Sequence, residues 1–93
     1  MRITVGTSSQ SLVEILGSEY GNITQDKENQ FYKLTLQNLW LVDIYIENGW
    51  EATVETGYML KKGNEVEITT KYINKLYLVS DGATNDNIRI ITN

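Results

Sequence analysis

From Tyr32 to Glu55 the chain reads YKLTLQNLWLVDIYIENGWEATVE. Its apolar residues recur at every second position. Tyr32, Leu34 and Leu36 fall on one side of an extended chain, with Lys33, Thr35 and Gln37 on the other. Val42, Ile44 and Ile46 repeat the pattern against Asp43, Tyr45 and Glu47, and Trp50, Ala52 and Val54 repeat it against Glu51, Thr53 and Glu55. A period of two marks strands with one buried face, and the β-branched and aromatic residues that fill these runs suit a pleated surface. Asn48-Gly49 lies between two of the runs. That dipeptide is the strongest short signal for a two-residue hairpin turn.

The same reading extends to both ends. Ile3 and Val5 flank Thr4, Val66 and Ile68 alternate with Glu65 and Glu67, and Ile88 and Ile90 flank Arg89. Lys62-Gly63-Asn64 and Asp81-Gly82 supply further turns. The expected architecture is one all-β domain over residues 1–93. It is a small antiparallel sandwich of jelly-roll or immunoglobulin-like type, with about seven or eight strands.

Two runs break the alternation. Tyr77-Leu78-Val79 is apolar on both faces, so it is covered on both sides within the fold or buried against another subunit. Leu12-Val13 with Ile15-Leu16 is similar. Its β-branched Val13 and Ile15 place it among the strands. The competing reading is a capping box, Ser11-Leu12-Val13-Glu14, with Gly17 as a helix stop. Gly17 to Gln30, GSEYGNITQDKENQ, reads as a long polar loop with Tyr20 and Ile23 as its anchors to the core. Loops of this length in a compact domain are more often functional or mobile than idle.

Composition narrows the chemistry. Twelve acidic residues against eight basic ones give a formal charge of −4, which disfavours a nucleic-acid partner. Cysteine and histidine are absent, which removes thiol and imidazole catalysis and every thiolate or imidazole metal site. No cofactor is expected. The opening MRITVGTSSQ lacks the apolar stretch of a secretory signal, and no run is long enough to span a membrane. The expectation is a soluble protein made in a reducing cytoplasm, with the sequon Asn22-Ile23-Thr24 accidental. Glu65 with Glu67 and Glu51 with Glu55 are the only carboxylate pairs suited to acid–base work, and both read as solvated strand faces. Asp81 to Asn87, DGATNDN, lacks the spacing and the closing glutamate of an EF-hand loop, so no metal site is expected. Neither is an enzyme.

The aromatic residues suggest contact surfaces. Trp50 is in phase with Ala52 and Val54 and reads as core. Tyr45 and Tyr77 fall on the face opposite the main apolar set. Together with Val79 and Tyr20 they are the candidate interface residues. Trp40, Trp50 and Tyr58 form the alternative, a flat platform for sugars in a carbohydrate-binding or adhesion module.

An ordered set of short motifs completes the reading: VGTS at Val5 to Ser8, LTLQN at Leu34 to Asn38, Ile44 to Ile46, then Gly57, Leu60, Gly63, Leu76-Tyr77 and Ile88-Arg89-Ile90. This order resembles a group of small tailed-bacteriophage virion proteins across nearly the whole chain. The chain departs from them in having no proline, in Asn64 between Gly63 and Glu65, and in a longer loop after the first strands. The resemblance implies a non-enzymatic structural virion protein, a capsid decoration protein or the anchor of a head fibre. It implies a homotrimer docked on the major capsid protein at the capsid surface, after synthesis in the host cytoplasm. A tail or head-to-tail accessory protein of the same fold is a further alternative. In this reading Lys61 to Asn64 is a tight corner that the fold requires, with no chemistry of its own.

Overall fold

A computed structural model of the protein describes all residues except 24, 26, 27, 29, 50, 51, 54 and 93, and of residues 20–22 the backbone alone. Eight strands form, β1 (Arg2–Val5), β2 (Gln10–Ser11), β3 (Tyr32–Asn38), β4 (Ile44–Asn48), β5 (Tyr58–Leu60), β6 (Glu65–Thr70), β7 (Leu76–Ser80) and β8 (Asn85–Thr92). One sheet has the order β1-β8-β3-β6 and the other β2-β7-β4-β5, with every neighbour antiparallel. The pairs β1:β8, β2:β7, β3:β6 and β4:β5 are those of one long hairpin, nested about the connection between β4 and β5. Rolling that hairpin so that β3 meets β8 and β4 meets β7 yields the two sheets. The expected antiparallel sandwich is present, and its strand order is that of a jelly roll.

The two-residue period orders the interior. Val5, Leu34, Leu36, Ile44, Leu78 and Ile88 have no exposed surface and lie between the sheets. Leu12 and Ile23 join them from outside the strands, so Ile23 does pin its loop to the core. Gly63, at a φ of 83°, closes the β5–β6 corner, where the Asn64 amide donates to the Lys61 carbonyl.

Three local expectations are overturned. Leu12–Leu16 is an α-helix, α1, and not a strand. Ser11 caps it, its hydroxyl accepting from the Glu14 amide at 3.2 Å while the Glu14 carboxylate accepts from the Ser11 amide at 3.3 Å. These reciprocal bonds outweigh the strand preference of Val13 and Ile15, and Leu12 and Leu16 anchor the turn in the core. The loop after it is also structured, since Gly17–Asn22 continues as a 3₁₀ helix. Finally, Asn48-Gly49 does not close a tight hairpin. β4 pairs with Tyr58–Leu60, nine residues further on, and the described Ala52 and Thr53 lie outside any strand. The Gly49 amide donates instead to the Lys75 carbonyl at 2.7 Å, which draws the chain away from a two-residue reversal.

That longer connection explains why β7 is apolar on both faces. Tyr45 lies opposite Val79 on β4, and Ser9 precedes Gln10, the partner of Leu78 on β2. The row Ser9, Val79, Tyr45 therefore crosses the outer face of the second sheet. The Ala52 amide donates to the Ser9 hydroxyl at one end of this row. At the other end a Cβ on Gly57 would stand 2.9 Å from the Tyr45 Cβ and 3.0 Å from the Thr53 carbonyl. The chain thus covers part of its own second apolar face, leaving Tyr45 and Tyr77 only half-buried. Val79 keeps only 6% of its surface exposed.

Two substitutions test these packing statements. Ser11→Ala removes the cap and is expected to lower stability by about 1 kcal/mol in urea unfolding. Gly57→Ala forces a methyl group against Tyr45 and is expected to cost about 1–3 kcal/mol in the same assay. A neutral result for Gly57→Ala means the connection does not press on the sheet.

Candidate functional site

At one end of the sandwich, the last residue of β3 and the first of β8 are both asparagines with no exposed surface. The Asn85 amide group donates to the Asn38 side-chain oxygen at 2.9 Å and to the Val42 carbonyl at 2.9 Å. The Asn38 amide group donates to the Val42 and Leu60 carbonyls at 2.8 and 3.0 Å. Asn38 and Asn85 belong to one sheet, while Leu60 belongs to the other and Val42 leads into it. The pair is a polar joint between the layers. Its oxygens are also used, accepting from the Trp40 amide at 3.2 Å and the Asn87 amide at 2.9 Å.

The joint holds the loop between β3 and β4 in a fixed shape. Further bonds tighten it: the Leu39 amide donates to the Asn87 carbonyl, the Gly63 amide to the Asn38 carbonyl and the Asn38 amide to the Asn64 carbonyl. On this rigid base stand Leu39, Trp40 and Leu41, 45%, 46% and 68% exposed. Three consecutive exposed apolar residues are costly to display in water unless something covers them. With Lys62 and Gly63 they line a shallow hollow of about 430 Å³. Lys61 and Lys62 are both exposed beside it, two cations in a chain of charge −4. The Lys62 amide donates to the Asp43 carboxylate at 3.1 Å, which fixes the corner against the loop. The corner Lys61 to Asn64 is thus a wall of this hollow as well as a turn.

The residues singled out from the sequence are dispersed. Tyr45 and Tyr77 are half-buried on the outer face of the second sheet, and the Tyr45 hydroxyl reaches the Met59 sulfur at 3.4 Å. Val79 lies beneath the chain's own cover, and the side chain of Tyr20 lies outside the described residues. Trp40 and Tyr58 line separate hollows, and Trp50 lies outside the described residues, so no shared platform of the three is in evidence. Glu65 and Glu67 are exposed on the outer face of β6, as is Glu55 in its connection; Glu51 lies outside the described residues. In the Asp81–Asn87 stretch, Asn85 points inward as a structural hydrogen-bonding group while Asp81 and Asp86 are exposed. Among the described residues no three carboxylate side chains gather as a metal site.

Sequence reasoning missed Leu39 and Leu41. Their signal was local: Leu39-Trp40-Leu41-Val42 is a run of four apolar residues without alternation directly after a strand.

Asn38→Ala leaves the Leu60 carbonyl and the Trp40 amide without their side-chain partner. It is expected to cost about 3 kcal/mol in denaturant unfolding and to speed amide exchange across Leu39 to Leu41. Leu41→Ser, on the exposed tip, is expected to stay within about 0.5 kcal/mol of the parent chain.

Set against protein-family models, curated proteins and solved structures, the chain finds no match in any of the three.

Proposed function

We propose that this protein is a non-enzymatic docking module, and that it serves as a structural component of a tailed-phage virion, decorating the capsid or anchoring a head fibre. The observation that carries the docking part is the Leu39-Trp40-Leu41 tip, held rigid by a buried asparagine pair and flanked by Lys61 and Lys62. A rigid apolar projection loses little conformational freedom when it enters a socket, which is what a permanent attachment requires. The virion part is supported by the ordered motifs from Val5 to Ile90. The jelly-roll strand order is compatible with it, since that fold occurs in capsid proteins and lectins alike, and fold by itself does not decide between them.

In this reading the tip seats on the major capsid protein. The half-buried Tyr45 and Tyr77, on a face distinct from the tip, carry self-association into a trimer. The sugar-platform reading is less well supported, because Trp40 and Tyr58 open onto different hollows.

The test is co-sedimentation with empty capsids of the phage that encodes the chain, with the free protein sized by light scattering. The parent chain is expected to pellet with capsids, and Leu41→Asp to lose at least about tenfold in affinity while remaining folded. A chain that stays in the supernatant, or a Leu41→Asp variant that binds as the parent does, overturns the docking role of the tip. A monomer that binds glycans and ignores capsids overturns the virion reading.

A further inference from the structure

Among the described residues the two sheets are not closed along one flank. β6 is hydrogen-bonded to β3 on one side and to no other described strand, and β5 is likewise the edge of its sheet. Between these edges lies a cleft of about 450 Å³, lined by Ile46, Tyr58, Val66, Ile68 and Leu76, with Glu47 at its rim. The burial along the flank is uneven. Leu34 and Leu36 on β3 are fully buried, yet their register partners Ile68 and Val66 on β6 are only half-buried. The apolar row of β6 extends past the cover that the described residues supply.

An edge strand also leaves every second residue's N–H and C=O without a ladder partner. A row of free backbone groups beside an apolar cleft with a two-residue period is the geometry of strand addition. It suits an extended chain better than a compact small molecule.

The charges indicate the chemistry of that chain. Glu65 and Glu67 alternate with Val66 and Ile68 and lie on the outer face. Their direct register partners on β3 are Gln37 and Thr35, which are neutral, leaving Lys33, opposite Thr69, diagonal to Glu67. Compensation for these carboxylates is open on the free side, where cross-strand pairs of opposite charge are favourable. A second copy of β6 is a poor occupant, because it brings the same two glutamates and has no basic residue within Glu65–Thr70. Lys71, which follows the strand, sits over the chain's own Phe31 ring at 5.3 Å.

We infer that the β5–β6 flank receives an extended segment of a partner protein. The segment adds to β6 as a further strand, placing alternate aliphatic side chains in the cleft and basic side chains beside Glu65 and Glu67. This site is separate from the Leu39–Leu41 tip and does not depend on the virion reading.

The test titrates the intact, isotope-labelled chain with three blocked peptides: KVKVKVK, its acidic counterpart EVEVEVE, and KSKSKSK. The expected result is that KVKVKVK shifts the amide signals of Glu65 to Thr70 and slows their exchange with solvent, while the other two bind at least roughly tenfold more weakly. The exposed double variant Glu65→Lys, Glu67→Lys is expected to reverse the preference toward EVEVEVE. Equal binding of KSKSKSK shows simple charge attraction and overturns the proposal, as does equal binding of EVEVEVE. Signals that move only outside the flank overturn it too. So does a concentration-dependent dimer of the free chain that protects the β6 amides, since the occupant would then be a second copy.

Discussion

Two buried amide side chains tie this molecule together. Asn38 and Asn85 sit where the layers would otherwise meet only through apolar contact, and between them they bind the Val42 and Leu60 carbonyls of the opposite side. Buried amides are tolerable only when their donors and acceptors are matched, and here each side-chain group has a partner. Because the partners lie on a loop, on β5 and on both sheets, the joint sets the position of everything at its end of the sandwich. The apolar tip and the β5–β6 corner both take their shape from it.

The opposite strategy governs the rest of the body. Away from the joint the sheets adhere mainly through aliphatic side chains, and the chain spends its irregular segments as covers. α1 and Ile23 close one region of the core, and Ala52 and Gly57 lie along the outer face of β4 and β7. Among the described residues the flank between β5 and β6 receives no such cover. The surface therefore divides into a rigid apolar tip with nearby lysines and an open edge with glutamates. Each has its own chemistry.

Much of this fold is legible as alternation. The runs at Ile3 to Val5, Tyr32 to Gln37, Ile44 to Glu47, Glu65 to Ile68 and Ile88 to Ile90 all lie within strands, because one-sided burial imposes its period directly on the residues. α1 was misread because five residues are too few to show a helical period, and the β-branched pair Val13 and Ile15 points the wrong way. The capping box was the better guide, since it records hydrogen bonds and not an average preference. Asn48-Gly49 misled for a tertiary reason: its amide is claimed by Lys75, far along the chain. The tip was the least accessible. Trp40 was visible as an aromatic, but the exposure of Leu39 and Leu41 depends on Asn85, a partner 47 residues from Asn38 that no local pattern announces.

The nesting of the strand pairs has a bearing on how the chain reaches this state. β4 and β5 can meet as soon as both exist, with β3 and β6 next outward. β1 pairs with β8, joining Arg2 to Arg89, so this outermost pair closes the longest loop of the nest. Closure of so long a loop is slow relative to local contacts. Until it happens, Ile3 and Val5 remain in water and the β8 edge stays bare, so assembly proceeds from the inner strand pairs toward the outer one.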